Sequence, residues 1–333
     1  MKTEKTNYDS IDLLKFILSI LIIQIHSDFY LEWMKPYVRI AVPTFFIISS
    51  FFFFKKSPTV NNLWKYVERL SKLYLFWFIA WGSYFFYANR DVFISDFYDG
   101  IAFLLKSIFM GSTFAASWYI SASIIGTIIV FYLSKKIPNW LLLLLVSIIY
   151  AIVTLSTSYY NLFRDSFGIV DDYFYEYTNT HLSVSFPVSL IFITIGKILA
   201  EFKLIQHSKA IIVLLLFVSL VLLQLEFTLV KRLYRLDDCF FFIIPSSIFL
   251  FLLFYNLHHS LTYAKILRNI STIVYCSHYS IILITGICVF RFTNGSLSPL
   301  EKFLIGSIGG GILCVIIILL ENKKHFSWLR LSH

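Results

Sequence analysis

Long apolar segments recur along this chain, and they constrain its fold more than any other feature. A helix needs about 20 mostly apolar residues to cross the ~30 Å hydrocarbon layer of a bilayer. Ten segments approach that requirement: residues 11–31, 38–54, 71–89, 117–134, 139–157, 184–202, 209–227, 239–257, 270–291 and 301–320. They predict an all-α fold, that of a polytopic membrane protein with about ten transmembrane helices.

The composition agrees with this class. Hydrophobic residues occupy 58% of the 333 positions and charged residues 14%, compared with about 45–50% and about 25% in soluble domains. Because short loops join the ten segments, we expect residues 1–333 to form a single membrane-embedded domain. The first apolar segment lacks a small-residue cleavage site, so we expect it to remain as a span rather than to be removed as a signal peptide.

The distribution of charge predicts the orientation. Most of the 28 lysines and arginines fall on the side of the N-terminus, and cytoplasmic loops of membrane proteins carry such an excess. Both termini are therefore predicted to be cytoplasmic. The same bias accounts for the net charge of +9, which is then a poor indication of nucleic-acid binding. The four cysteines show no zinc-type spacing, so no metal site is predicted.

Two other segments are distinctive. Segment 97–116 is interrupted by polar residues and glycine, and we expect a re-entrant or interfacial helix there. Loop 158–183, predicted to lie outside, mixes acidic and aromatic side chains. That composition suits stacking on sugar rings and is also typical of an interfacial aromatic belt, so both interpretations stay open.

Polar residues form a stripe along the first span. The stripe consists of Asp12, Lys15, Ser19 and His26. Steps of three, four and seven residues place these side chains on one helical face. Ionisable groups inside a bilayer are costly and usually mark a pathway or a site. The stripe therefore predicts the wall of a tunnel, although a snorkelling Lys15 and an interfacial His26 would give the same pattern.

The ninth span carries a second polar stripe. Ser271, Tyr275 and His278 are spaced four and three residues apart, so they share one helical face. His278 lies near the middle of the span, where an interfacial position is a weak explanation. It is either a packed histidine bonded to a neighbouring helix or a residue that takes part in chemistry.

A cationic stripe follows the second span, in segment 55–72. Lys65, Arg69 and Lys72 recur at steps of four and three and share a helical face. Such a stripe attracts anionic lipid headgroups, with about 1 kcal/mol per charge. It also suits a clamp for a phosphate-bearing cytosolic ligand, because Arg presents a planar fork to phosphate oxygens. Taken alone, the segment favours lipid headgroups.

Further polar and aromatic residues stand out on the second and fourth spans. Arg39 opens the second span, and Pro43 removes a backbone hydrogen-bond donor just after it. Ser49 and Ser50 give that span a small polar surface, which permits close helix approach or hydrogen bonds between helices. Tyr119 opens the fourth span, where aromatic residues of the membrane interface are usual.

In order and spacing, these segments resemble the membrane acyltransferase-3 family, multi-span bacterial enzymes that O-acylate cell-envelope glycans. The matching strings cover nearly the whole chain: DLLKFILSILIIQIH, RIAVPTFFIISS, KYVERLSKLYLFWF, SWYISAS, FPVSLIFITIGKIL and STIVYCSHYSII. Each string is degenerate by itself, and their order makes the resemblance specific. Two positions depart from the family pattern. The usual SG pair reads Ser49 and Ser50 here, and the usual early arginine reads Lys15.

The resemblance implies roles for particular residues. The first-span histidine that the family ties to catalysis matches His26, and the ninth-span histidine matches His278. The arginine before the VPTFF string matches Arg39, and the basic position after the second span matches Arg69. Because a thioester is already activated, a sugar hydroxyl mainly lacks a base, and histidine suits that role. We therefore expect His26 to be the general base, acting directly on the acceptor or through a transient acyl-histidine.

The donor implied by the resemblance is acetyl-CoA or another short acyl-CoA from the cytoplasm, with no metal. Its phosphates are expected to be held by Lys15, Lys65, Arg69 and Lys72. Arg39 or Tyr119 is expected to stabilise the carbonyl oxygen as negative charge develops. The implied acceptor is a hydroxyl of a cell-surface polysaccharide or its lipid-linked precursor, and the implied location is the bacterial inner membrane.

A transporter or exporter of an envelope glycan or small metabolite is the alternative function. Two histidines inside spans would suit a proton-coupled carrier. Against it, the chain has only 12 glycines and no paired Gly- or Pro-broken helices in matching halves, such as inverted-repeat carriers have. The sequence does not indicate the acceptor, the acyl group, the side of the membrane on which transfer occurs or the oligomeric state.

Overall fold

The computed structural model describes residues 8–114, 117–202, 208–257 and 260–333. Within these ranges the regular structure is helical, without any strand, which confirms the all-α prediction. The α-helices are α1 (Asp9–Ser27), α2 (Lys35–Val38), α3 (Ala41–Phe54), α4 (Val60–Ala88), α5 (Arg90–Ser95), α6 (Phe97–Met110), α7 (Ser117–Leu133), α8 (Asn139–Thr157), α9 (Ile169–Thr178), α10 (Phe186–Glu201), α11 (Lys209–Val230), α12 (Ile243–Tyr255), α13 (Ala264–Thr293) and α14 (Pro299–Glu321). The N-terminus, predicted to be cytoplasmic, lies outside the described residues.

Within the described residues, six helical segments are long and apolar enough to cross a bilayer: Asp9–Ser27, Glu32–Phe54, Asn139–Thr157, Lys209–Val230, Ala264–Thr293 and Pro299–Glu321. Helices α7 and α12 are apolar but shorter. The predicted count of about ten spans is therefore not confirmed, although each of the ten predicted segments lies on a helix. One reason is that α10 has only 16 residues and ends on a Lys197–Glu201 ion pair.

Segment 97–116 contains a helix, α6, as expected. The carboxylate of Asp96 caps its start by accepting hydrogen bonds from the backbone N–H groups of Tyr98 and Asp99, at 2.7 and 3.1 Å. Such a cap satisfies donors that the first helical turn leaves free. A re-entrant or interfacial position for this helix stays a prediction, and residues 115 and 116 lie outside the described part of the chain.

The second predicted span is broken near its start. Helix α2 ends at Val38 and α3 begins at Ala41, so that Arg39 lies at the break. Pro43 falls in the first turn of α3, where its missing N–H costs no intrahelical hydrogen bond. The hydroxyl of Thr44 donates to the carbonyl of Ile40 at 2.8 Å and closes the same turn.

Helices α3 and α10 approach closely in the core. A Cβ atom at Gly196 of α10 would lie 1.9 Å from the hydroxyl oxygen of Ser50 and 2.7 Å from the carbonyl oxygen of Ile47. Only glycine fits there. The neighbouring Ser49 bonds across helices to the hydroxyl of Tyr66 on α4, at 2.9 Å. Both roles predicted for the serine pair, close approach and bonding between helices, are therefore confirmed.

Helices α1 and α13 lie side by side and hold the two polar stripes. The hydroxyl of Ser271 donates to the carbonyl of Lys15 at 2.8 Å. Helix α14 covers the pair, and Gly306 packs tightly against Ile282 of α13 and Ile23 of α1. The predicted stripes therefore face one another inside the bundle.

Candidate active site

Two histidines from different helices meet in the interior. The ring centroids of His26 and His278 lie 5.2 Å apart, and the ring of Tyr279 contacts His26 at 5.0 Å. His278 is fully buried and His26 is partly buried. The two residues lie on the first and the ninth predicted spans, and the fold brings them together.

Hydrogen bonds set the orientation of the His278 ring. Its Nδ1 atom lies 2.9 Å from the carbonyl oxygen of Val274 and 3.0 Å from that of Tyr275. Because a carbonyl oxygen only accepts, Nδ1 carries the hydrogen, and in the neutral ring Nε2 is then an acceptor. Nε2 is buried without a partner in the described part of the chain. Among the described residues the ring is therefore bonded to its own helix and not to a neighbouring one, and its part in chemistry stays a prediction.

The His26 ring makes no hydrogen bond within the described residues, and its contacts there are with the rings of His278 and Tyr279. Asp28 is not its partner. That residue is exposed and ends α1 with a left-handed backbone, at φ 55°. This agrees with the sequence-based expectation that two residues of separation turn the side chains to different faces.

A large cavity opens on the side predicted to be cytoplasmic, and we call it the inner cavity. Its volume is about 830 Å³, within the range typical of small-molecule sites. Lys15, Arg69 and Lys72 line it, as the phosphate-clamp hypothesis predicts. Lys65 does not line it. The next residue, Tyr66, does line the cavity, so Lys65 lies on another face of α4.

Four further cations line the inner cavity, and sequence reasoning missed them as site residues. They are Lys56, Lys265, Arg268 and Arg330. No described acidic side chain lines the cavity. Arg268 and Lys15 both pair with Asp12 behind the wall, at 3.7 and 3.1 Å. Lys265 and Arg268 are three residues apart on α13, but Lys56 and Arg330 come from distant parts of the chain, and no local spacing links these three regions.

Two tyrosines lie at the deep end of the inner cavity. Tyr119 and Tyr275 both line it, and their ring centroids are 5.4 Å apart. Tyr119 also packs on Phe46, at 4.6 Å. The structure thus places Tyr119 at the cavity and in contact with Tyr275, which lies one helical turn before His278.

A second cavity, which we call the outer cavity, lies on the other side of the histidine pair. Its volume is about 610 Å³, and its lining includes Trp81, Tyr84, Tyr279 and Ser280. No charged side chain lines it among the described residues. The indole Nε1 of Trp81 is buried and has no hydrogen-bond partner in the same part of the chain. The lining therefore combines aromatic faces with an unused donor.

Helix α13 passes both cavities. Tyr275 and Cys276 line the inner cavity, while Tyr279 and Ser280 line the outer cavity. His278 lies between these two pairs of residues along the helix. The histidine pair itself lines neither cavity and lies next to residues that line each of them.

Arg39 lines neither cavity. Its guanidinium pairs with the carboxylates of Asp237 and Asp238, and Lys35 also pairs with Asp237. Burial raises the pKa of Asp237, but Arg39 and Lys35 outweigh burial and hold that pKa below the ordinary value for a carboxyl group. Two carboxylates thus compensate the charge of Arg39, which fixes the loop before α12 to the break in the second span.

Side chains of the predicted outside loop are largely engaged with one another. The buried carboxylate of Asp171 accepts from His181 Nδ1 and from the backbone N–H of Leu182, each at 2.8 Å. Tyr175 stacks on His181 at 4.5 Å. Arg235 lies 4.9 Å from the ring of Tyr160. For the remaining exposed rings of loop 158–183, stacking on sugars and contact with the membrane interface both stay predictions.

A metal centre is not evident in the described residues, where no group of three or more His, Cys, Asp or Glu side chains lies close enough to hold an ion. Charge and hydrogen bonding at this site come instead from cations, imidazoles and phenols.

Comparison with known proteins gives few relatives. Two matches are to proteins named amino-acid racemase from Enterococcus faecalis. One is 24% identical over 343 residues, covering 97% of this chain and 48% of that protein. The other is 28% identical over 174 residues, covering 49% of this chain and 24% of that protein. The chain therefore spans about half the length of the curated relative that it matches most fully.

No solved structure gave a significant match. Residues 8–319 match a family model described as an acyltransferase domain, which covers nearly the whole chain. The resemblance carried by the sequence strings is thereby confirmed, and the protein belongs to the membrane acyltransferase-3 family.

Proposed function

We propose that this protein is an integral membrane O-acyltransferase. It moves an acyl group, acetyl in the first instance, from cytosolic acyl-CoA to a hydroxyl of a cell-surface polysaccharide or of its lipid-linked precursor. One observation carries the proposal: the histidine pair lies between a cationic cavity and an uncharged aromatic one. An acyl transfer between an anionic donor and a neutral acceptor requires such an arrangement.

The inner cavity suits the donor. CoA carries several phosphate charges, and Lys15, Arg69 and Lys72 present cations to them. No carboxylate of the described residues lines the cavity, although Asp12 and Glu68 pair with Lys15 and Lys72 from outside the lining. The acyl end of the donor reaches toward Tyr119 and Tyr275, and so toward the histidine pair. Lys65 is left with the alternative role that the sequence allows, attraction to anionic lipid headgroups.

The outer cavity suits the acceptor. Sugar rings present apolar faces that stack on aromatic side chains, and their hydroxyls bond to donors such as the free indole N–H of Trp81. Tyr279 belongs to this cavity and touches His26, so a hydroxyl held there lies close to the base.

The chemistry then assigns the two histidines different tasks. His26 takes the proton of the acceptor hydroxyl while its oxygen attacks the thioester carbonyl carbon. The tetrahedral intermediate collapses, the C–S bond breaks, and protonated His26 returns the proton to the sulfur of CoA. While His26 is protonated, the unpartnered Nε2 of His278 is able to accept its second N–H and so to stabilise the charge.

The developing oxyanion needs a hydrogen-bond donor. Of the two candidates chosen from the sequence, Tyr119 lines the inner cavity. Arg39 is bound by two carboxylates, which favours a structural role for it. We therefore assign the carbonyl oxygen to the hydroxyl of Tyr119, with Tyr275 beside it.

A transporter of an envelope glycan or small metabolite remains the second candidate. Two cavities on opposite sides of a polar constriction are also what a carrier with alternating access needs. The names of the racemase relatives favour neither the acyltransferase nor the transporter, because the relative matched most fully is about twice as long as the matched region.

The test is chemical. Purified protein in liposomes is supplied with radiolabelled acetyl-CoA and with envelope glycans from cells that lack the protein. We expect the label to enter the glycan, and mass analysis of envelope glycans from cells with and without the protein to differ by one acyl group. Movement of glycan across the membrane without a change of mass would favour the transporter instead.

A further inference from the structure

The segment after α14 folds back against the middle of α4. This segment is a 3-10 helix, Lys324–Ser332. The buried indole of Trp77 donates from Nε1 to the carbonyl oxygen of Ser332 at 3.1 Å. The rings of Phe76 and Trp328 meet at 5.6 Å, and Leu329 is buried in the core. The 324–332 segment is therefore packed in place rather than free in solvent.

This packing turns one side of the segment toward the inner cavity. Arg330 and Leu331 line the cavity, as does His333 just beyond. Arg330 is exposed and makes no ion pair within the described residues. The contacts that anchor the segment are made by other residues. The guanidinium of Arg330 is therefore held at the cavity wall and is available to bind a ligand.

Helix α13 supplies the cations next to this wall. Burial lowers the pKa of His333, and the positive charges of Arg268 and Lys265 lower it further, while Glu321 opposes them. His333 also lies 3.3 Å from the carboxylate of Glu321. Positive charge from α13 and from the segment thus converges on one side of the cavity.

We propose that the 324–332 segment forms a wall of the donor site and that Arg330 binds a phosphate group of acyl-CoA there. Trp77 is the positioning residue, because its hydrogen bond to Ser332 fixes the segment against α4. The inference rests on the proposed function for its ligand, a molecule with several phosphate groups, and extends it by a residue that no local pattern indicated.

The chemistry of the ligand explains why cations on several elements are useful. CoA carries a pyrophosphate and a separate 3′-phosphate, so its negative charge is spread over two regions. Cations on α4, on α13 and on the segment surround the inner cavity from three directions. Arg is suited to bidentate contact with phosphate oxygens, which Lys does not provide.

The test measures binding of coenzyme A to the purified full chain in nanodiscs, by calorimetry. Arg330→Ala is expected to raise the Kd for coenzyme A by about tenfold, the loss of one charge-assisted contact. Arg330→Lys is expected to lose less. Lys323→Ala removes an exposed cation that directly precedes the segment and does not line the cavity. We expect the Kd of this variant to match that of the unaltered protein.

A second variant tests the positioning role of Trp77. Trp77→Phe keeps an aromatic ring and removes the N–H, and we expect a severalfold higher Kd with an unchanged maximal transfer rate at saturating donor. Because Trp77 acts through Arg330, adding Trp77→Phe to Arg330→Ala should weaken binding little further. Additive losses in the double variant would show that Trp77 does not act through Arg330.

The outcomes separate this inference from the function on which it rests. Equal Kd values for Arg330→Ala and Lys323→Ala, in a protein that binds coenzyme A, would overturn only the role of Arg330. No binding by the unaltered protein would overturn both. Repeating the measurement with 3′-dephospho-CoA identifies the contact, since the effect of Arg330→Ala disappears if Arg330 holds the 3′-phosphate and persists if it holds the pyrophosphate.

Discussion

The inner and outer cavities share one helix and differ in almost everything else. Both use α13, at residues one or two turns apart, and both approach the same histidine pair. The inner cavity is surrounded by cations that come from four separate parts of the chain. The outer cavity has aromatic rings from α4 and α13 and, in the part of the chain that the structure describes, no charged side chain. Under the proposed function, the donor and the acceptor are thus recognised on opposite sides of the histidine pair.

The cost of placing unpaired charge inside a bilayer explains why the cations lie on one side only. Many cations can surround the inner cavity because it opens at the polar surface, where their charges are hydrated when the donor is absent. The outer cavity lies along spans that face lipid, where an unpaired charge would cost several kcal/mol. Aromatic side chains supply binding there without that cost.

The largest effect on acyl transfer is expected at the histidine pair. His26→Ala removes the proposed base, and we expect transfer to fall by about 10²–10⁴-fold, the usual contribution of general acid–base catalysis. Acyl transfer is measured in membranes that contain equal amounts of inserted protein. His325→Ala, which alters an exposed histidine that lines neither cavity, is the matched control. Undiminished transfer by His26→Ala would reject the assignment.

The next effect concerns Arg39, which belongs to neither cavity. Arg39→Met leaves Asp238 without its partner, and we expect it to lower the free energy of unfolding by about 3 kcal/mol. Transfer per folded molecule should change little. Thermal unfolding in detergent is compared with the transfer rate normalised to folded protein, and exposed Arg90→Met is the control. Lost transfer with unchanged stability would return Arg39 to the catalytic residues.

A smaller effect is expected within the inner cavity. Arg69→Ala should raise the KM for acetyl-CoA by about tenfold with little change in kcat, because it removes a phosphate contact made equally in ground and transition states. Lys65→Ala, one turn away on the same helix and outside the cavity, should leave the KM unchanged. Equal shifts for both variants would indicate that the stripe binds lipid headgroups instead of the donor.

The sequence predicts the histidine pair and part of the inner cavity better than it predicts the outer cavity. Regular steps along single helices placed His26, Lys15 and His278 on faces that do meet, because helical periodicity is a local property. The cations of α13 and Arg330 were missed because their convergence depends on how distant helices pack. For the outer cavity a signal existed: Trp81 and Tyr84 are three residues apart on α4. It was obscured because membrane-interface aromatics have the same composition.

The smallest effect concerns the outer cavity. Trp81→Phe keeps the ring and removes only the unpartnered indole N–H, so it should raise the KM for the glycan acceptor by about threefold, the size of one neutral hydrogen bond. Trp64→Phe, at an exposed tryptophan of α4 outside both cavities, is the control.

The two KM values must respond separately for the comparison to hold. Because Trp81 lines the outer cavity and not the inner one, Trp81→Phe should leave the KM for acetyl-CoA unchanged, the reverse of the result expected for Arg69→Ala. Steady-state rates with each substrate varied in turn measure both values. If Trp81→Phe shifted the donor KM as much as the acceptor KM, the cavities would form one continuous site, and charge would not separate the two substrates.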